Sequence, residues 1–216
     1  MTQVSTVQSE NNGLAKYHFF VRKLHSFLGL FPISLFLMNH LFVNSLAALS
    51  PSLYDTAVSR LQNIPYLDVV EILLIALPLA IHALYGLYIV YVAKNNLSRY
   101  SYTGNWMFYL QRVTALITFV FVIVHVWQLR VAHSLYGLEI TFATMQSLLV
   151  NPLWLTFYAI SLVAAAFHFA NGLWNFSVSW GIVVGEQAQK VVWKLCMVLF
   201  FIASAVGLAA IWAFVQ

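Results

Sequence analysis

An all-α integral membrane protein with five transmembrane helices is the fold this sequence predicts, and three observations predict it. Of 216 residues, 62% are hydrophobic and 7% charged, against about 25% charged in a soluble domain. Five stretches each hold the roughly 20 mostly apolar residues that a helix needs to cross a bilayer. Basic residues gather at one end of those stretches, as a membrane topology requires.

Residues 1–15, MTQVSTVQSENNGLA, are polar and read as a loose tail, so 1–20 is assigned as an N-terminal tail and 21–216 as the transmembrane domain. The apolar run begins only after Lys23, too late and too long for a secretory signal peptide. Spans are expected at 25–48, 71–93, 107–130, 153–176 and 192–214. Pro32 and Pro78 fall inside the first two, which membrane helices tolerate better than soluble ones. Between spans, Ser50-Pro51, Asn95-Asn96, Tyr136-Gly137 and Asn151-Pro152 supply helix-ending chemistry.

Orientation follows from the cations. Lys16, Arg22, Lys23, Lys94, Arg99, Arg112, Lys190 and Lys194 fall on one side, and Arg60 and Arg130 on the other. The positive-inside rule places the majority side, and with it the N-terminus, in the cytoplasm and the C-terminus outside. Trp106, Trp174, Trp180 and Trp193 lie near inner ends, and Trp127, Trp154 and Trp212 near outer ends, as an aromatic belt does. The net charge of +4 therefore reports topology, not a nucleic-acid footprint. A single cysteine, Cys196, excludes a disulfide framework, a Cys-ligated zinc site and an iron–sulfur cluster held by this chain alone. No glycine-rich phosphate loop is present.

Four histidines lie well within spans, one on each of the first four: His40, His82, His125 and His168. Intramembrane ionisable residues are functional candidates by default. His18, His25 and His133 sit near span ends, within reach of water. Depth sorts the four. His40 follows Lys23 by 17 residues and His125 precedes Arg130 by five, so both lie toward the outer end. His82 precedes Lys94 by 12 and His168 precedes Phe176 by eight, so both lie toward the inner end. The two levels differ by something on the order of 10 Å.

Two neutral imidazoles facing each other across a bundle suit a six-coordinate haem iron. Gly86 and Gly172 each follow an inner histidine by four residues and share its helix face, leaving room for a flat ring. Ordinary small-residue packing is the plainer account of either glycine alone. A zinc or copper site would draw all four imidazoles to one point, about 2 Å from the metal, against the two depths. A proton-relay or transporter bundle would more usually carry mid-membrane carboxylates, and none of the six acids is central.

The segments RKLHSFLG, FLMNHLFVN, LPLAIHALYGLYIVYVAKNN, YSYTGNWMFYLQRVTALITFVFVIVHVW and FHFANGLWNFSVSWGI resemble the single-chain dihaem cytochrome b subunit of succinate:menaquinone oxidoreductases. The resemblance runs over about residues 16–215. It extends more distantly to the membrane subunit of quinol:fumarate reductases, the alternative, which run the reverse reaction. It implies a five-helix protein of the bacterial cytoplasmic membrane, whose first four helices bind two b-type haems. It also implies a flavoprotein and an iron–sulfur protein anchored on the cytoplasmic face, with a higher oligomer of the whole complex open. The implied ligands are His82 with His168 for the haem near the iron–sulfur subunit, and His40 with His125 for the distal one. Electrons from succinate would reach the inner haem, the outer haem and then menaquinone; no succinate-oxidising site lies on this chain.

The remaining polar residues are assigned around that scheme. Arg22, His25, Ser26 and Arg112, with Gln111 beside them, lie at inner ends and are candidate donors to the inner haem's propionates. Asn171 and Trp174 either donate near that haem or bind helix carbonyls. Quinone reduction takes up two protons and calls for an acid with access to water. Glu71, at the start of the second span, is the preferred quinone-site acid. Asp68 is the second candidate, with helix-dipole compensation as its other account.

Overall fold

A computed structural model describes residues 17–94 and 96–216. Lys16, Asn95 and most of the expected tail lie outside the described residues. Five helices are long and apolar enough to cross a membrane: α1 (Tyr17–Ala48), α3 (Leu67–Val92), α4 (Thr103–Tyr136), α6 (Pro152–Ser179) and α7 (Glu186–Ala213). No strand occurs among the described residues. All five expected spans are present; all five helices start before the expected bounds, and α4 and α6 also end beyond them, because end residues still satisfy their backbone groups by continuing the helix.

Two shorter helices were not anticipated, α2 (Pro51–Gln62) and α5 (Phe142–Leu149). The reason is local. Ser50-Pro51 and Asn151-Pro152 begin helices instead of ending them. Ser50 Oγ accepts from Leu53 N at 3.3 Å and Asn151 Oδ1 from Leu153 N at 2.9 Å, with proline at the first helical position, where its missing N–H costs nothing. Tyr136-Gly137 does end a helix: Gly137 sits at φ +67° and donates to His133 O, a left-handed cap.

Along the spans the outward surface is apolar: Leu35, Leu84 and Phe201 are each about two-thirds exposed. Such faces belong against lipid, since an all-round apolar helix is buried or membrane-spanning. The first four spans close a ring, α1 beside α3, α3 beside α4, α4 beside α6, and α6 back to α1. The fifth, α7, packs along α6 and against α1.

Three spans contain a π-turn: Gly29–Ile33 in α1, Ile72–Ala76 in α3 and Trp127–Val131 in α4. Pro32 lies within the first and Pro78 just after the second. A proline removes one helix donor, and in α1 Ser34 Oγ donates instead to Gly29 O at 2.8 Å.

The two ends of the ring are fastened differently. At the end richer in cations, Lys23 Nζ donates to Ser179 O and lies 5.0 Å over the Trp180 ring, while Trp180 Nε1 donates to Ser26 Oγ at 3.0 Å. At the opposite end α2 and α5 form a cap. Tyr54, Met145, Leu149, Tyr158 and Phe214 make its buried apolar cluster with Ala47 and Leu129, and Asp55 Oδ1 accepts from Phe142 N at 2.6 Å.

Candidate functional site

The bundle brings the four intramembrane histidines together as two pairs. His82 of α3 and His168 of α6 have ring centroids 6.2 Å apart with planes at 80°. His40 of α1 and His125 of α4 are 5.7 Å apart at 83°. An imidazole nitrogen ligates a metal at about 2 Å, so two rings on opposite sides of one metal ion have centroids about 6 Å apart. Both pairs have that separation.

Hydrogen bonds fix which nitrogen stays free. His82 Nδ1 donates to His25 O at 2.9 Å, and His168 Nδ1 donates to Gln111 O at 3.1 Å. Tyr158 gives its own proton to Gln128 Oε1 at 2.9 Å and so accepts from His125 Nδ1 at 3.4 Å. In each case the tautomer leaves Nε2 with its lone pair, as holding a ligating imidazole requires.

Around the His82–His168 pair the neighbours differ from expectation. The chain is helical already at Tyr17, so His25 is at least two turns inside α1 instead of at its water-facing end. Its ring stacks on His82 at 4.1 Å and 5°, and its Nδ1 is buried with no hydrogen-bond partner. Tyr85 Oη and Arg112 Nε are buried and unpartnered as well.

Of the other expected propionate donors, Arg22 is exposed. Ser26 is engaged, donating to Lys23 O and accepting from Trp180. Arg112 folds over the Phe108 ring of its own helix and donates to Phe108 O. Asn171 is fully buried and donates to Gln111 Oε1 at 2.7 Å, while Trp174 Nε1 donates to Gln189 O. Both therefore bind across helices to groups of the protein.

Gly86 and Gly172 lie near His25 and Gln111: a Cβ on Gly86 would stand 3.3 Å from His25 Cε1, and one on Gly172 3.4 Å from Gln111 Nε2. Among the described residues the tightest glycine is Gly29, which the sequence reading missed. A Cβ there would fall 2.4 Å from His82 Cε1 and 2.7 Å from its Nδ1. Nothing in the local sequence marks it, because its contact is with another helix.

At the capped end Glu71 and Asp68 share one cation. Arg130 Nε donates to Glu71 Oε2 at 2.6 Å, Arg130 Nη2 pairs with Asp68 Oδ1, and Nη1 donates to Ser134 Oγ at 3.1 Å. The sequence reading used Arg130 only as a marker of topology and depth.

Two comparisons bear on this arrangement. The family described as succinate dehydrogenase/fumarate reductase transmembrane subunit matches residues 92–210. The chain is also 44% identical over 197 residues to the succinate dehydrogenase cytochrome b558 subunit of Bacillus subtilis (strain 168), across 91% of this chain and 97% of that one.

The chain belongs to this family. It is a succinate dehydrogenase membrane-anchor subunit by sequence, and its five spans and lipid-facing surface suit the part. All four paired histidines lie within described spans, His125 and His168 inside the matched segment and His40 and His82 upstream of it.

Proposed function

We propose that this chain holds two b-type haems, one between His82 and His168 and the other between His40 and His125. On this reading it passes electrons from an iron–sulfur subunit to menaquinone. The observation that carries the reading is the separation of the two histidine pairs, with the Nδ1 protons of His82, His125 and His168 held by protein oxygens. Bound there, haem supplies reversible one-electron transfer at each level.

The chain's own residues do the rest. The backbone carbonyls of His25 and Gln111 and the Tyr158 hydroxyl orient the imidazoles. His25 Nδ1 and Arg112 Nε are donors without partners at the cation-rich end; with Arg22 and Ser26 they are the groups suited to propionates. Gly29, Gly86 and Gly172 keep side chains out of the inner site. Glu71, with Asp68 nearer water, is the acid for quinone protonation at the capped end.

The cation-rich end faces the cytoplasm and carries the flavoprotein and iron–sulfur subunits, by the positive-inside rule. The N-terminus is then cytoplasmic and the C-terminus outside, in a bacterial cytoplasmic membrane. Succinate oxidation belongs to the flavoprotein.

Pyridine haemochrome analysis of the assembled complex tests the ligand sets. Wild type should hold two haems b. His82→Ala or His168→Ala should lose one, and His40→Ala or His125→Ala the other, with distinct spectra remaining. Two low-spin haems surviving in any of these variants would break the assignment.

A further inference from the structure

The Arg130 cluster has a form that a simple helix staple does not need. Asp68 and Glu71 stand one turn apart on α3, the first 82% exposed and the second 30%. One guanidinium holds both, through different nitrogens, and its third edge is taken by Ser134. A surface pair joining two helices contributes only about 0–1 kcal/mol, and one carboxylate would suffice for it.

The presentation of Arg130 is also unusual. It sits inside the π-turn Trp127–Val131. A π-turn adds one residue to the helix, and a regular helix advances about 100° per residue. Closing the turn would therefore swing Arg130 away from α3. The same turn carries Gln128, which binds Tyr158 beside His125. π-turns inside helices recur at functional sites.

We propose that Arg130 is a positioning residue for quinone reduction: it holds Glu71 as the proton-transferring carboxyl of a route that opens to water at Asp68. The inference rests on the reading of Glu71 as the quinone-site acid. Reduction of a quinone to a quinol consumes two electrons, which succinate oxidation in the complex releases, and two protons from water. In each proton step the O–H bond of the Glu71 carboxyl breaks as one forms on a quinone oxygen. Glu71 then takes a proton from Asp68, and Asp68 takes one from water; the sequence runs twice. Two carboxylates on one cation make this feasible. While either is protonated the other still balances Arg130, so the charge is never left unpaired at a partly desolvated position.

The test uses the assembled complex with Arg130→Gln, Arg130→Lys and Glu71→Gln. It follows succinate-driven reduction of a short-tailed menaquinone, reduction of a phenazine dye that bypasses the quinone, and haem content. Arg130→Gln should lower kcat for the quinone by about a hundredfold, the scale of a misplaced reacting group. KM, dye rate and haem content should stay as in wild type. Arg130→Lys keeps the charge without the planar fork and should recover most of the loss, to roughly fivefold below wild type.

An unchanged kcat in Arg130→Gln beside a slow Glu71→Gln overturns the role of Arg130 and leaves that of Glu71. Unchanged kcat in both overturns both. A raised KM with normal kcat in Arg130→Gln also overturns the proposal. If Arg130→Gln does not assemble, Arg130→Lys decides, and a wild-type kcat there overturns it.

Discussion

Gly29 and His82 show how a single hydrogen atom can set an imidazole's position. A methyl group at 29 would overlap the His82 ring, and that ring cannot simply turn, since its Nδ1 is tied to His25 O. Gly29→Ala is expected to displace His82 and lose or perturb the haem proposed at the His82–His168 pair. Gly172→Ala, whose nearest neighbour is the end of a glutamine side chain at 3.4 Å, should retain it. Gly86→Ala should fall between, because the His25 ring must give way by a few tenths of an ångström. Haem content and the reduced-minus-oxidised spectrum of the three variants check the order. The sequence made Gly86 and Gly172 visible because they share a helix face with a histidine, a regularity of one helix. Gly29 depends on how closely α1 approaches α3, which no spacing within α1 encodes. His25 was misjudged for a related reason: its distance from the helix end depends on how far α1 extends, and residues 17–23, YHFFVRK, mix aromatic with charged side chains and give no sharp hydropathy edge.

At the scale of elements, the cap of α2 and α5 is the part the sequence concealed. Hydropathy windows of span length average across 12- and eight-residue helices, and Ser-Pro and Asn-Pro pairs serve equally at turns and helix starts. Asp55 is the hinge pin of this cap, its carboxylate taking the first N–H of α5 from a neighbouring helix. A charge-assisted bond to a helix N-terminus contributes about 1–2 kcal/mol, so Asp55→Ala should lower Tm by a few degrees while haem content is kept. Tyr54, the next residue, lies against Phe142 and Phe214. Burial, with the Asp55 charge adding to it, pushes its phenol up to about 12. The unfolded chain ionises this group near its ordinary value of about 10, so the neutral phenol favours the folded state. That contribution is complete below about pH 10 and is lost as pH rises from there through about 12. Thermal melts between these limits should show a steeper alkaline decline in wild type than in Tyr54→Phe.

For the whole molecule, the number and order of spans were legible because water and lipid sort residues independently of packing. Which helix touches which was less so, since apolar faces packed in lipid carry little partner information. The fifth helix makes the point. It has no histidine, yet it packs tightly on α6, where a Cβ on Gly207 would come within 2.6 Å of the Leu162 side chain. Gly207→Val should therefore lower the thermal stability of the complex and leave the number and spectra of its haems unchanged. A loss of one haem instead would mean that α7 shapes a ligand site directly.

Tyr158 belongs to two assemblies at once. Its ring is packed in the cap's apolar cluster, and its hydroxyl holds both His125 and the π-turn through Gln128. Lifting the cap would thus tug on the imidazole beneath it. The chromophore proposed there would then act as an internal gauge, its visible band reporting from within the bundle whether the lid above is shut.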